Sequence, residues 1–493
     1  MAILKWAVSL LLLLLATLLL NTLNFQTQEV HIEAALDNST INKEALTQRL
    51  SQALQFQTIS SAEAQDQAPF LAFHEFLKSS FPKLHKTLEL ELVNELSLLY
   101  FWQGSEPSLK PMLLMSHQDV VPVDNETRDR WKHEPFSGNI EDGNIWGRGA
   151  IDIKSGLMGS MEAIENLISQ SFQPKRSMYL AFGHDEEVGG KQGAKAIATL
   201  LRQRKVELEF ILDEGGSIVG GGIIPGLKIP VALIGIAEKG YVSLKLKTKA
   251  TGGHSSMPEK HSALGIIAKA LVDLENAPFP ANLDFSKTLF QNIGPAMTGF
   301  KKVIFANMWL TEPIVEHVLS DSKTTNATIR TTTAVTMAKG SSKDNILPSE
   351  ASATVNFRIM PGESVQSVMD YVTDVIANKD IQISIVGGFG NEPSPVSDSE
   401  NPNFELIRNS IYRVTQDSDL IVTPYLVVGA TDAQHYTGLS NSIYRFAFNR
   451  LNPETLDRMH GINEQIAVKD YIDVVRFFRE VILGANTQFV KSH

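Results

Sequence analysis

The sequence predicts an α/β protein with a mainly parallel central sheet and an inserted α+β unit. Three short apolar runs, PMLLMSHQD, SMYLAFGHDEE and EFILDEGG, have the length of buried strands and end in acids or histidine. Helical patterns separate these runs, and strands that alternate with helices form parallel sheets. After Glu238, YVSLKLKTKA alternates apolar with polar or basic residues, as in a strand with one wet face. This change of pattern predicts that a second, different sheet begins there.

Length and composition limit the kind of protein. A chain of 493 residues is too long for one hydrophobic core, and 43% hydrophobic with 20% charged residues is typical of a folded protein. The net charge of −11 argues against a nucleic-acid partner, because phosphate binding needs clustered Lys and Arg. The sequence contains no cysteine, which excludes disulfides and thiolate chemistry. Any bound metal must therefore use His, Asp or Glu.

An apolar run near the amino terminus is typical of a membrane-directed segment. WAVSLLLLLLATLLL, residues 6–20, follows Lys5 and lies in length between a signal-peptide core and a short spanning helix. No cleavage site of the A-x-A type precedes Asn24. We expect residues 1–25 to be an uncleaved anchor with Lys5 on the cytoplasmic side and the globular part outside the cytosol. A cleaved signal peptide and a secreted protein are the alternative.

The remaining pattern predicts a larger domain in two parts, with a second domain between them. Residues 26–42 are polar and non-periodic, and the helical spacing of Leu46, Leu50 and Leu54 places the first packed helix near Lys43. The predicted larger domain covers 43–238 and 389–493, and the inserted domain covers 239–388.

Helices and strands follow one another in the inserted domain and at the carboxyl end. The predicted elements are a helix over 263–274, strands over 334–337 and 351–359, a helix over 365–377, and the strand IQISIVG. An apolar segment over 278–330, rich in Phe, Leu, Met and Trp, interrupts them. The last helix contains DYIDVVRFFREVIL, whose apolar face comprises Tyr471, Val474, Val475, Phe478 and Ile482.

Acids and histidines follow the predicted strands. The set comprises His117, Asp119, Asp152, Glu186, Glu187, Asp213 and His460. Each residue alone has an ordinary explanation, such as a helix cap or a solvated loop. Together at the carboxyl edge of one sheet they would repel one another unless cations neutralised them, and Lys154 and Arg148 are too few to do so. Two histidines and three carboxylates suit a pair of divalent ions bridged by one carboxylate, with zinc the first expectation.

Seven motifs resemble the co-catalytic zinc metallopeptidases that include aminoacylase, carboxypeptidase S and glutamate carboxypeptidase. The motifs are SHQDVVPVD, WGRGAIDIKSG, GHDEEVGG, LDEGG, EKGYVSLKLKTKATGGHSSMP, DNILPSEASATVNFRIMPG and RMHGINE. The resemblance extends from about Leu46 to the carboxyl terminus. GATDAQHYTGLSNSIYRF is closer still to the carboxypeptidase S branch, which contains secreted N-fatty-acyl-amino-acid synthase/hydrolases. The resemblance implies a zinc-exopeptidase catalytic domain and a ferredoxin-like inserted domain that serves as a lid or dimerisation unit.

The resemblance also implies a ligand set for two zinc ions. His117 and Asp213 would hold one ion, Glu187 and His460 would hold the other, and Asp152 would bridge them. Cobalt or manganese could substitute for zinc.

Five further residues take roles from the same resemblance. Glu186 would be the general base, and Asp119 would orient the imidazole of the neighbouring histidine ligand. In the inserted domain, His254 would bind the oxyanion and Arg358 would grip a substrate carboxylate, with Asn345 as a weaker candidate for the same pocket.

The implied activity is hydrolysis of an amide bond in peptides or N-acyl amino acids that carry a free carboxylate. One alternative is the reverse reaction, the condensation of fatty acids with amino acids. Another is a non-catalytic receptor or scaffold, although every implied ligand and Glu186 are present in the sequence. Two matters stay open: whether inserted domains pair in a homodimer, and whether segment 278–330 covers an acyl chain or simply packs against the inserted domain.

Overall fold

A computed structural model of the protein describes residues 1–27, 29–35, 39–63 and 65–486. The predicted spacer 26–42 lies partly outside these residues. The amino-terminal apolar run forms helix α1 (Ala2–Asn24), and it is the helix among the described residues that is long and apolar enough to cross a membrane. No residue of α1 is buried against the protein.

The central sheet has ten strands within the described residues. Its elements before the inserted unit are α2 (Lys43–Ala53), α3 (Ala68–Ser80), α4 (Pro82–Thr87), β1 (Glu89–Val93), β2 (Ser97–Trp102), β3 (Met112–His117), β4 (Ile140–Glu141), β5 (Asn144–Trp146), α5 (Lys154–Ser169), β6 (Met178–Gly183), α6 (Ala194–Gln203), β7 (Ile211–Asp213), β8 (Ile218–Val219) and β9 (Val231–Glu238), where β4 and β5 belong to a small separate sheet.

A second unit with its own sheet follows directly. Its elements are β10 (Gly240–Lys249), β11 (Gly253–His254), α7 (Ala263–Asn276), α8 (Asp284–Ile293), α9 (Phe300–Ala306), α10 (Met308–Ser320), α11 (Lys323–Ile329), β12 (Thr332–Lys339), β13 (Ile346–Leu347), β14 (Glu350–Ile359), α12 (Val365–Ile376) and β15 (Ile381–Ile385).

The chain then returns to the central sheet. The last elements are α13 (Pro402–Thr415), β16 (Ile421–Val427), β17 (Ile443–Arg445), β18 (Arg450–Leu451), β19 (Gln465–Ala467) and α14 (Val468–Ala485).

The three strands predicted from apolar runs lie side by side in the central sheet. The strand order is β1-β2-β6-β3-β7-β17-β9-β8-β18, with β16 paired to β9. Strand β3 is parallel to both β6 and β7, and His117 pairs with Gly183 at the ends of β3 and β6. The carboxyl ends of these strands therefore meet at one edge, and the predicted α/β class is confirmed.

Helices cover the sheet through close packing. The predicted apolar face of α14 is buried, and it lies against α5, where a Cβ on Gly159 would come within 2.6 Å of Val474 Cγ1. Glycine permits this approach because it has no side chain to occupy the contact. The close approach fixes α5, whose first turn follows Asp152, against the core.

The second sheet has the antiparallel order β12-β14-β10-β15, and α7 and α12 pack on it. The alternation that predicted β10 is present, since Val242, Leu244 and Leu246 are all fully buried while the residues between them are not. One face of this sheet forms a core with the two helices, and the other face is wetter.

Helices α8 to α11, here called the helical insert, pack on the central sheet. Phe290 and Ile293 of α8 join Val219 and Val231 in one apolar cluster, and Asn292 Nδ2 donates to Thr423 Oγ1 over 2.8 Å. The expectation of packing against the inserted domain is therefore incomplete, because most of the insert's buried apolar surface faces β8, β9 and β16.

Candidate metal centre

The acids and histidines predicted to form a site converge at the carboxyl edge of the central sheet. His117 is the last residue of β3, Glu186 and Glu187 follow β6, and Asp213 is the last residue of β7. His460 lies in the loop before β19.

Asp152 lies between two imidazole rings. Its Oδ1 is 3.0 Å from His117 Nε2, and its Oδ2 is 2.9 Å from His460 Nε2. Each oxygen of one carboxylate therefore faces a different histidine, which is the arrangement that a bridging ligand requires.

A second carboxylate accompanies each histidine. Glu214 Oε1 is 3.2 Å from His117 Nε2, and Glu187 Oε2 is 3.2 Å from His460 Nε2. The two groups, His117–Asp152–Glu214 and Asp152–Glu187–His460, each hold their ligand atoms within 4.8 Å of one another and share Asp152. A further group of the same kind joins His117, Glu186 and Glu187.

Asp213, the remaining expected ligand, does not join these groups within the described chain. Its buried carboxylate accepts a hydrogen bond from the backbone N–H of Ala433 over 2.8 Å, and it belongs to none of the ligand groups found among the described residues. Its chain neighbour Glu214 takes the position beside His117 instead. Successive side chains of a strand point to opposite faces, so the LDEGG motif alone left open which acid faces the site.

Asp119 holds two parts of the site together. The Nδ1 of His117 lies 2.9 Å from the backbone oxygen of Asp119 and 3.3 Å from its Oδ1, which leaves Nε2 free to face Asp152. The same carboxylate accepts the backbone N–H groups of Glu186 and Glu187 over 3.2 and 3.0 Å. Asp119 thus contacts both the imidazole that it is expected to orient and the loop that carries the two glutamates.

The electric field of the site favours positive charge. Burial lowers the pKa of His117, but the negative charge of Glu214 and the hydrogen bonds that the imidazole donates to Asp119 and Asp152 outweigh this effect and raise that pKa well above its usual value. Hydrogen bonds to Asp152 and Glu187 raise the pKa of His460 to about 10. The negative side chains that stabilise the protonated histidines would also attract divalent cations.

The pKa values of two acids in the site are raised as well. Burial, reinforced by Asp152, raises the pKa of Glu214 to about 8. Burial also raises the pKa of Glu186 well above its usual value, with the negative charge of nearby Asp432 adding to the effect. Acids in such an environment are candidates for proton transfer or metal binding.

The two basic residues considered from the sequence, Lys154 and Arg148, bind other groups and do not neutralise the acids of the site. Lys154 Nζ donates to the carbonyls of Ala53 and Phe56 over 3.2 and 2.6 Å, and burial lowers its pKa to about 7. Arg148 is paired instead with Glu464. The buried Oε1 of Glu187 accepts no hydrogen bond within the described part of the chain, which fits a ligand atom whose partner is a metal ion.

Sequence reasoning missed the role of Glu464. Its Oε2 is 2.7 Å from Arg148 Nη1, and its Oε1 accepts the backbone N–H of Ile151 over 2.8 Å. Arg148 also donates to the carbonyls of His460 and Gly461. This buried pair therefore ties the loop of Asp152 to the loop of His460, and its partners are too far apart in the chain for any spacing to reveal them.

The three expected substrate-binding residues lie in the inserted unit. His254 is exposed on the ribbon of β11 and β13, where Ser255 N donates to the carbonyl of Asn345 and Ser256 Oγ is 2.8 Å from His254 Nδ1. Arg358 on β14 is half-buried, with its guanidinium 4.9 Å from the ring centre of Tyr241. The structure brings His254 and Asn345 together, and none of the three expected residues joins the ligand groups of the described chain.

Similarity to known proteins identifies the family of the chain. Residues 113–484 match the model of peptidase family M20/M25/M40. A probable carboxypeptidase S-like protein of Dictyostelium discoideum is 41% identical over 95% of this chain and 91% of its own length. A human N-fatty-acyl-amino acid synthase/hydrolase is 38% identical over 93% and 91%, and carboxypeptidase S of Saccharomyces cerevisiae is 32% identical over 92% and 85%.

Solved structures share the fold at lower identity. An M20 family metallo-carboxypeptidase from Sulfolobus solfataricus aligns with a TM-score of 0.64 at 19% identity, covering 91% of this chain and 99% of its own. Human carnosine dipeptidase 1 aligns with a TM-score of 0.58 at 14% identity, over 90% and 96%. The family expected from the motifs is confirmed: the chain belongs to peptidase family M20/M25/M40 and is a metallohydrolase of the carboxypeptidase and aminoacylase type.

Proposed function

We propose that the protein is a di-zinc hydrolase that cleaves the amide bond of N-acyl amino acids or peptides with a free carboxylate. The main support for this proposal is the position of Asp152, whose carboxylate presents one oxygen to each of two histidine–carboxylate groups. Cobalt and manganese, which accept the same nitrogen and oxygen ligands, are expected to substitute for zinc.

Five side chains would hold the ions. His117 and Glu214 would bind one ion, His460 and Glu187 the other, and Asp152 both, so that Glu214 replaces Asp213 in the ligand set expected from the family resemblance. When bound, the ions supply positive charge that lowers the pKa of water and polarises the substrate carbonyl.

Glu186 would move the proton. It would take a proton from the attacking water and deliver it to the leaving amine, and its burial suits this role because it raises the pKa of the carboxyl and so makes the carboxylate a stronger base. The hydrogen bond from its backbone N–H to Asp119 fixes the loop in which it lies.

The substrate class is argued from the relatives and from the inserted unit. Relatives are named as carboxypeptidase S and as N-fatty-acyl-amino acid synthase/hydrolase, so N-acyl amino acids with long acyl chains are included. Arg358 would bind the carboxylate through its forked donors, while His254, with Asn345 beside it, would bind the oxyanion. Because His254 is exposed, it would be supplied across a homodimer of inserted domains, and a strictly monomeric mass for the active enzyme would contradict this arrangement.

The same site would also catalyse the reverse condensation of a fatty acid with an amino acid, because an enzyme lowers the barrier in both directions. The name synthase/hydrolase of the human relative favours this second activity. Concentrations would then set the net direction, and product detection from both sides tests it.

Glu186→Gln tests the mechanism. We expect turnover of an N-acyl amino acid to fall by about 10²- to 10⁴-fold, the usual contribution of general acid–base catalysis, while bound zinc stays at the wild-type level. Glu187→Gln is the matched control, and it should lose zinc together with activity. A Glu186→Gln enzyme with wild-type turnover on N-acyl amino acids and dipeptides would remove the proposed base.

We also propose that α1 stays on the chain as a membrane anchor, with the catalytic part outside the cytosol. Its length of 23 residues and its exposed apolar surface support this. Retained α1 would keep the protein in the membrane pellet during alkaline carbonate extraction, whereas release into the supernatant would point to cleavage.

A further inference from the structure

Helix α10 carries apolar residues on both of its sides. Val315 and Leu319 are buried in the cluster that joins the helical insert to the central sheet. Leu310, Ile314 and Val318 recur every four residues on another face, and they are 44, 51 and 61% exposed. A helix that only had to cover the sheet would carry polar residues on that face.

Two aromatic side chains nearby in the chain are also exposed. Phe300 at the start of α9 is 72% exposed, and Trp309 in the first turn of α10 is 60% exposed. Together with Leu310, Ile314 and Val318 they form what we call the apolar surface. Exposed apolar residues grouped in this way mark interaction sites rather than ordinary solvent-facing surface.

The two glutamates of α10 are each next to a basic residue. Lys287 Nζ is 3.0 Å from Glu312 Oε1, and Arg330 Nη2 is 3.9 Å from Glu316 Oε1. Their negative charge is therefore partly neutralised. This weakens the repulsion between the helix and an anionic surface, and it lowers the free-energy cost of placing the helix in an apolar environment.

The helical insert contacts the apolar part of α1. The fully buried Asn307, between α9 and α10, donates through Nδ2 to the carbonyl of Leu18 over 3.2 Å, and Asn21 Nδ2 donates to Asn307 Oδ1 over 3.0 Å. Below them, the ring of Phe25 lies against Gly294, where a Cβ would come within 2.6 Å of it. At 1.5 Å per residue, Leu18 is about 9 Å along the helix from Asn24. The insert therefore reaches beyond the polar end of α1 into its apolar stretch.

From these contacts we propose that the apolar surface lies in the lipid bilayer interface beside α1, so that the enzyme has a second, monotopic membrane contact. The inference rests on the proposed retention of α1. Residues that contact a membrane-spanning helix lie at the same depth as the part of the helix that they contact. Asn307 and the adjoining Trp309 are therefore held at the level where acyl chains meet headgroups. Interfacial helices bury their apolar faces to a depth of about 5–10 Å, and tryptophan is enriched at that level.

The absence of cysteine makes a direct test clean. The full chain carries a single nitroxide label at Phe300→Cys, Val318→Cys, Leu12→Cys or Leu92→Cys, each in liposomes of phosphatidylcholine and phosphatidylserine. Leu12 lies within α1, and Leu92 is 52% exposed on the edge strand β1, at the other end of the central sheet from β8, so they serve as bilayer and aqueous references. Hydrolase activity of each labelled protein checks that it is folded.

We expect labels at Phe300 and Val318 to collide more with oxygen than with a water-soluble nickel chelate, as at Leu12, and the label at Leu92 to show the reverse. A bilayer signal at Leu12 with aqueous signals at Phe300 and Val318 would overturn the inference and leave the anchor intact. An aqueous signal at Leu12 would overturn both. Low accessibility to both reagents at Phe300 and Val318 would indicate a second copy of the chain on this surface, which also overturns it.

Discussion

Asp213 and Glu214 are neighbours in the chain whose carboxylates have different partners. Asp213 accepts the backbone N–H of Ala433, and burial raises its pKa to about 6. Glu214 is 3.2 Å from the imidazole of His117. Which of these two residues can bind the metal therefore depends on which side chain at the end of β7 points toward the site.

Two isosteric substitutions separate these roles. We expect Glu214→Gln to weaken zinc binding by more than the ~10–100-fold that loss of an outer partner of a metal ligand costs, because an uncharged amide replaces a ligating carboxylate. Asp213→Asn should keep zinc near the wild-type level, although it disturbs a buried hydrogen bond. The measurement is zinc retained per chain against a graded series of chelator concentrations. Loss of zinc in Asp213→Asn but not in Glu214→Gln would restore the ligand set implied by the resemblance.

Residue types and motif order were sufficient to predict His117, Asp152, Glu187 and His460 as one cluster. What the sequence left open was orientation. The buried pair of Arg148 and Glu464 orients the loops of two ligands, but 316 positions separate its members, and no local periodicity relates them. Such contacts arise only when the sheet brings distant loops together.

At the scale of elements, Lys239 joins the central sheet to the second sheet and to the helical insert. It lies between β9 and β10, and its buried Nζ donates to the carbonyls of Ala327 and Arg330 over 3.0 and 2.7 Å, at the carboxyl end of α11. Carbonyls at a helix carboxyl end favour a nearby cation. Burial nevertheless lowers the pKa of Lys239 to about 7. The negative charge of Glu363 acts to raise this pKa, and the positive charge of Arg358 acts to lower it.

The lowered pKa predicts how stability changes with pH. An unfolded lysine has a pKa of about 10.4, so between about pH 7 and 10.4 the unfolded chain binds more protons than the folded chain. Stability contributed through Lys239 therefore rises with pH across this window, by at most about 1.4 kcal/mol per pH unit. The free energy of unfolding of the wild type relative to Lys239→Met should increase in the same direction.

Urea unfolding at neutral and alkaline pH measures this difference. Lys301→Met is the control, since Lys301 is exposed and also donates to a backbone carbonyl, and it should keep the pH dependence of the wild type. A difference between wild type and Lys239→Met that stays constant with pH would contradict the buried, weakly charged lysine.

Element types were easier to predict than their packing partners. The alternation in β10 and the helical face of α14 are local patterns, and both are present as predicted. The place of α8 was not predictable, because an apolar helical face is the same whether it covers the inserted unit or β16. Only the pairing of β16 with β9 creates the edge on which this helix packs.

In the whole molecule, the amino-terminal apolar helix, the helical insert and the acidic site belong to one connected structure. Helix α1 contacts the insert, the insert packs on β9 and β16, and the loop after β16 reaches the carboxyl edge, where the backbone N–H of Ala433 donates to Asp213. The sequence predicted the two ends of this chain of contacts, a membrane segment and an acidic site, from their composition. It could not predict their connection, which depends on Asn307 and on the sheet edge.

Anomalous scattering at the zinc absorption edge, measured from crystals of the zinc-loaded protein, would locate the proposed pair of ions. We expect two peaks that share Asp152, one beside His117 and Glu214 and the other beside His460 and Glu187. No zinc among these side chains in crystals grown with ample zinc, or peaks confined to other parts of the surface, would contradict it.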